Sequence, residues 1–102
     1  MKTKDDLIKL GIKGFKADEI MYLQGKMLDE AVRFCFRKKD GTIRDANGTR
    51  KLDLMVQEDG SQYEFKTSGK PECPTTLGYW DLDKKMWRSF VLTQFIGIVE
   101  GL

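Results

Sequence analysis

The chain is predicted to fold as a mainly-β (α+β) domain, with a helical amino-terminal segment over residues 1–30 and a small antiparallel β-barrel over residues 31–102. Three observations predict it. Apolar residues recur at helical spacing before residue 31, they alternate with polar ones after it, and the alternating stretches are punctuated by Asp40-Gly41, Asn47-Gly48 and Asp59-Gly60. Many short strands in one small domain leave edges that need protection, and closing the sheet on itself is the usual solution.

Ala17, Ile20, Met21, Gln24, Met27, Leu28 and Ala31 fall on one helical face, with Asp18 and Glu19 near the start, where the helix dipole favours acids. Leu7, Ile8 and Leu10 suggest a shorter helix upstream, limited by Gly11 and Gly14. From Val32 the period becomes two. Val32, Phe34 and Phe36 point one way, while Arg33, Cys35 and Arg37 point the other.

Asp40-Gly41 predicts a type I′ hairpin turn, and Asn47-Gly48 predicts a second turn after Thr42 to Ala46. Leu52, Leu54 and Val56 read as the next strand, turning at Asp59-Gly60 into Tyr63 and Phe65. Thr67 to Pro74 carries Gly69, Pro71 and Pro74 and reads as a loop. Gly78 to Leu82 and Met86 to Phe90 flank Asp83-Lys84-Lys85 as another hairpin. Leu92 to Phe95 makes a single tight turn, and Ile96 to Val99 closes the sheet.

Length and composition bound the function. A chain of 102 residues, 40% hydrophobic and 11% aromatic, has material for one core, so residues 1–102 are expected to form one domain. No apolar run reaches the roughly 18 residues of a membrane span, and Met1 to Asp6 lacks the apolar stretch of a secretory signal. A cytoplasmic protein with no membrane partner is expected. Cys35 and Cys73 are too few and too distant for a metal knuckle or disulfide framework, and are expected to be free thiols. His is absent, which removes the commonest general base and metal ligand. No Gly-rich phosphate loop, paired-acid signature or metal set is present, so neither catalysis nor a cofactor is expected.

The segment Gly78 to Ile98, GYWDLDKKMWRSFVLTQFIGI, resembles the carboxy-terminal half of WYL-type domains, with an aromatic strand, a charged turn, Trp-Arg-x-Phe and a final isoleucine strand. Together with FRKKDGTIRDANGT at Phe36 to Thr49, it makes the chain similar, over roughly residues 31–100, to the small Bacteroidetes and phage family of Sm-like SH3-type barrels in the WYL-like superfamily. The resemblance implies a ligand groove lined by basic residues and a cysteine. Matched by position, these are Lys38, Arg44, Arg50 and Arg88, with Cys35 as the thiol. The order Trp-Tyr-Leu is replaced by Tyr79-Trp80-Asp81-Leu82. Where such domains place further arginines after Trp-Arg-x-Phe, this chain has Val91 and Phe95.

Charge supports a local rather than a global field. The chain carries a formal +2, but residues 31–51 hold Arg33, Arg37, Lys38, Lys39, Arg44, Arg50 and Lys51 against Asp40 and Asp45, an excess of five positive charges. Arginine donates paired hydrogen bonds to phosphate, and several on one sheet can follow a phosphodiester backbone. The alternative is a solvated outer face whose charges are offset by acids elsewhere. Arg33 and Arg37 beside Cys35 favour its thiolate, although a structural thiol is the simpler expectation. Trp80 is expected in the core, with base stacking as its alternative.

The expected function is a non-enzymatic binding module of a phage or bacterial regulator, taking nucleic acid or a nucleotide-like ligand on the basic sheet face. The alternative is a protein-interaction domain that inhibits or modulates a host or defence protein. The candidate ligand-binding residues are Arg33, Cys35, Lys38, Arg44, Arg50 and Arg88, and no metal site is expected. Replacing Arg44 and Arg88 together is expected to weaken binding and to leave the fold intact.

Overall fold

A computed structural model of the chain describes residues 2–63 and 73–99. Helix α1 spans Lys4–Lys9 and starts at a reciprocal capping box, in which Thr3 and Asp6 each accept the other's backbone N–H. Helix α2 spans Gly14–Met27. Gly14 opens this helix rather than limiting the one before it. The buried face of α2 is Ala17, Ile20, Leu23, Gln24 and Met27, while Met21 and Leu28 are exposed. Gln24 is buried because it pairs with the backbone of Lys2 through both its oxygen and its nitrogen, 2.9 and 3.0 Å.

Five antiparallel strands follow: β1 (Val32–Arg37), β2 (Ile43–Thr49), β3 (Thr76–Asp81), β4 (Met86–Val91) and β5 (Phe95–Ile98). Their order in the sheet is β4-β3-β2-β1-β5. β4 and β5 lie at opposite ends of that order, yet only the 3₁₀ turn Leu92–Gln94 joins them. Three residues span on the order of 10 Å at most, so the sheet must roll until its ends meet. Phe90 and Phe95, one from each end strand, accordingly stand 5.9 Å apart between ring centroids. A register shift between Cys35 and Phe36, where β1 meets β5, contributes to the bend.

The barrel interior is aromatic. Val32, Phe34 and Phe36 point inward as the alternation predicts, and Phe34 packs edge-on against Tyr79 at 5.1 Å. Phe90 lies 5.3 Å from Phe34 and stacks on Phe36 at 5.2 Å. Helix α2 lies against β1 and β5 and contributes to the same core. Thr49 ties the sheet to the helix end by donating to the carbonyls of Met27 and Glu30.

Four turn and strand expectations are corrected. Asp40-Gly41 does end the first hairpin, but only Gly41 has positive φ (+89°), so the turn is a type I turn with a left-handed glycine rather than type I′. Asn47-Gly48 is not a turn and lies inside β2. A Cβ on Gly48 would stand 2.7 Å from Tyr79 Cδ2 and 2.9 Å from Phe34 Cε1, so the glycine lets two rings close over the strand. Leu52–Leu54 forms a 3₁₀ turn rather than a strand, and the hairpin at Asp59-Gly60 is reduced to the single bridge Val56–Gln62. Phe65 and most of the Thr67 to Pro74 loop lie outside the described residues. Among the described residues, no helix is long and apolar enough to cross a membrane.

Candidate functional site

The six candidate residues fall in four places. Arg33 and Cys35 lie on the outer face of β1, opposite Asn47 and Asp45 of β2. Asp45 serves both, accepting from the Cys35 thiol at 2.9 Å and lying 3.7 Å from Arg33. Burial first, then the Asp45 hydrogen bond and charge, push the Cys35 thiol up to about 11. Asp45, which pairs across the strands with Cys35, therefore outweighs Arg33, and the thiolate weighed as the alternative to a structural thiol is disfavoured. On this outer face the positive charge is partly offset by an acid of the neighbouring strand.

Lys38 sits in the β1–β2 turn, exposed, with its backbone N–H bonded to the Thr42 carbonyl at 2.8 Å. Arg50 lies against the outer face of β3 and β4. Its Nε donates to the Gly78 carbonyl at 3.0 Å, and its guanidinium lies over Trp87 at 6.0 Å. Trp87 in turn stands edge-on to Trp80 at 6.3 Å, and Tyr63 lies 5.0 Å from Trp80. Trp80 is 2% exposed, buried under Tyr63 and Trp87 on the outer face of β3 rather than inside the barrel core, and that burial removes base stacking from its roles.

Arg44 and Arg88 are brought together. The register places Arg44 opposite Phe36, Arg88 opposite Tyr79, and Asp81 opposite both Met86 and Gly48, all on the inward face of the sheet. The Asp81 side chain is fully buried, and its Oδ2 accepts from Arg44 Nη2 at 2.6 Å and lies 4.0 Å from Arg88 Nε. Its Oδ1 accepts the backbone N–H groups of Asp83 and Lys84 at 2.9 and 3.0 Å, which fixes the β3–β4 turn. One carboxylate thus anchors a turn and orients two arginines from non-adjacent strands.

The electrostatics leave a surplus of positive charge and of donors. Burial works against the Arg44 charge, but the Asp81 hydrogen bond and carboxylate outweigh it and hold the guanidinium above its ordinary value. Arg44 Nε and the Tyr79 hydroxyl are both buried beside this carboxylate, and the guanidinium and phenol interact with each other rather than with a further protein acceptor. Burial first, then the Asp81 charge, pushes the Tyr79 phenol up, so it stays a neutral donor. The Arg44 side chain is 20% exposed and that of Arg88 38%. Arg44 is therefore not a freely solvated charge, and replacing it removes a partner from a buried acid. The expectation that the double replacement spares the fold is revised on that ground.

Asp81 was the residue that sequence reasoning missed. Its signal is an aspartate two and three residues ahead of the N–H groups of a charged turn, the spacing of an Asx cap. Among the described residues no cluster of acids and cysteines is able to hold a metal ion. Cys35 and Cys73 are free thiols, as expected.

Comparisons with curated proteins and with solved structures give no match. The profile of the WYL_2 family, described as a Sm-like SH3 β-barrel fold, matches residues 20–96, which takes in α2 from Ile20 and all of β1 to β4. With well over half of its length matched and with helices leading into a rolled five-stranded antiparallel sheet, the chain belongs to the WYL_2 family of Sm-like SH3 β-barrels.

Proposed function

We propose that the protein is a non-enzymatic binding module of a bacterial or phage regulator, taking a phosphate-bearing ligand, a nucleotide or a nucleic acid, between Arg44 and Arg88. The single observation that carries this reading is the convergence of both guanidiniums on the one buried carboxylate of Asp81. Two positive charges share one negative charge, and the exposed parts of the two guanidiniums keep N–H donors for an oxyanion. Asp81 pre-orients them, which lowers the ordering cost at binding. Lys38, in the exposed turn that ends β1, adds a further charge near the mouth of the same hairpin. Arg33 and Arg50, held on other faces, contribute to the general field rather than to this contact.

A protein-interaction role has separate support in Phe15 and Tyr22 on α2, which are i and i+7 on the helix and both exposed. Ionic strength separates the readings. Phosphate contacts release counterions and weaken steeply with salt, whereas an apolar helix face does not. The test is a binding titration of mononucleotides and of single- and double-stranded oligonucleotides over a salt series. Binding that falls as salt rises supports the proposal, and absence of any binding at low salt transfers the function to the α2 face.

A further inference from the structure

The two end strands of a rolled sheet that is not fully hydrogen-bonded around its girth each retain an outward edge, and such an edge is a template for pairing with another chain. β5 runs Phe95-Ile96-Gly97-Ile98 and continues into Val99, with no charge and no proline to discourage pairing. One side of β5 is used by β1, where the Val99 N–H donates to the Arg33 carbonyl at 2.9 Å. The other side presents the Ile96 carbonyl and the Ile98 N–H.

Helix α2 satisfies both with side chains. Lys16 Nζ donates to the Ile96 carbonyl, and Glu19 Oε2 accepts the Ile98 N–H at 2.9 Å. The two side chains are themselves paired at 3.5 Å, and the Lys16 ammonium lies over the Phe95 ring at 5.5 Å. They are three residues apart and so share one face of the helix. A Cβ on Gly97 would approach Glu19 Oε2 to 3.3 Å, so a glycine there lets the carboxylate lie close against the strand. A donor and an acceptor thus meet an acceptor and a donor, as a neighbouring strand would.

We propose that Lys16 and Glu19 are an edge cap that stops β5 from pairing with the β5 of a second copy. The occupant follows from self-complementarity. In an antiparallel pair of β5 strands related by a two-fold axis at Gly97, the Ile98 N–H of each chain would donate to the Ile96 carbonyl of the other, with isoleucines paired across the strands. These are the two groups that α2 covers. Displacing α2, or removing its two polar side chains, converts the covered edge into a dimerisation surface.

The test compares the parent protein with Lys16→Ala/Glu19→Ala, and with Lys16→Arg/Glu19→Gln, which keeps a donor and an acceptor. Sedimentation over a concentration series should show the alanine pair associating at concentrations at least tenfold lower than the parent, and the conservative pair behaving as the parent. Adding Ile96→Lys to the alanine pair should reverse the association, because a charge on the strand opposes edge pairing. A readout independent of association is amide exchange in Glu19→Ala alone at low concentration. The Ile98 amide should exchange at least tenfold faster, while Val99, bonded to Arg33, should not change. An alanine pair that sediments like the parent, an association that Ile96→Lys leaves intact, or an Ile98 amide indifferent to Glu19→Ala would each overturn the proposal.

Discussion

Arg44 Nη2 and Asp81 Oδ2 are 2.6 Å apart, and the carboxylate they share with the β3–β4 turn has no exposed surface. A buried charge with one strong partner is costly to strand, since removing either member leaves the other desolvated and uncompensated. Asp81→Ala should therefore destabilise the protein by about 3–5 kcal/mol in chemical denaturation, the range for breaking a buried pair. Asp81→Asn should lie between parent and alanine, because an amide oxygen still accepts from Asp83 and Lys84 while losing the charge that holds Arg44. A loss under about 1 kcal/mol for the alanine variant, the size of an exposed pair, would mean that the pair is not structural.

Gly48 gives a second stability prediction with a different cause. Gly48→Ala places a methyl 2.7 Å from Tyr79 and 2.9 Å from Phe34, two fully buried rings. Overpacking of this kind typically costs about 1–3 kcal/mol, and thermal melts should register it. If Asn47-Gly48 were a solvent-exposed turn instead, the same change would affect stability far less.

That glycine also marks where sequence reasoning stopped. The alternation Val32, Phe34, Phe36 was legible because one strand face is buried and the other is not, and the structure keeps that pattern residue for residue. The turns at Asp40-Gly41 and Asp83-Lys84-Lys85 were legible for a local reason, since the chain reverses where turn residues interrupt apolar runs. Asn47-Gly48 has the same local appearance, but its glycine answers to rings from β1 and β3, which are distant in sequence. Leu52 and Leu54 alternate like a strand, yet both are exposed on a 3₁₀ turn, and only Met55 beside them is buried. In the site, Arg44 and Arg88 were legible as basic positions. Their common partner was not, because Asp81 acquires its role only when β2, β3 and β4 lie side by side.

The two thiols should differ sharply in reactivity. Hydrogen bonds from Thr75 and Thr76 bring the Cys73 thiol down to about 7, whereas burial and Asp45 push Cys35 up to about 11. A raised value means that Cys35 stays protonated across the neutral range and ionises only as pH rises towards that value; the lowered value of Cys73 puts its thiolate within reach at neutral pH. Alkylation followed by peptide mass spectrometry between pH 6 and 9 should label Cys73 with a midpoint near its lowered value and leave Cys35 largely unmodified. Equal labelling of both cysteines at neutral pH would contradict this assignment, and Thr75→Ala should move the Cys73 midpoint upward.

The binding claim is tested most directly on Arg88. It is the more exposed of the two converging arginines and the one less tightly bound to Asp81, 4.0 Å against 2.6 Å, so it is replaceable without stranding the buried acid. The measurement is the affinity of the parent and of Arg88→Ala for nucleotides and oligonucleotides across a salt series, with thermal melts alongside. A charge-assisted hydrogen bond to phosphate is worth about 1.5–3 kcal/mol, so Arg88→Ala should bind roughly tenfold or more weakly. Its salt dependence should also be shallower by nearly one counterion, and its melting temperature close to the parent's. A parent protein that binds no phosphate-bearing ligand at low salt, or an Arg88→Ala variant that binds as tightly as the parent, would contradict the account.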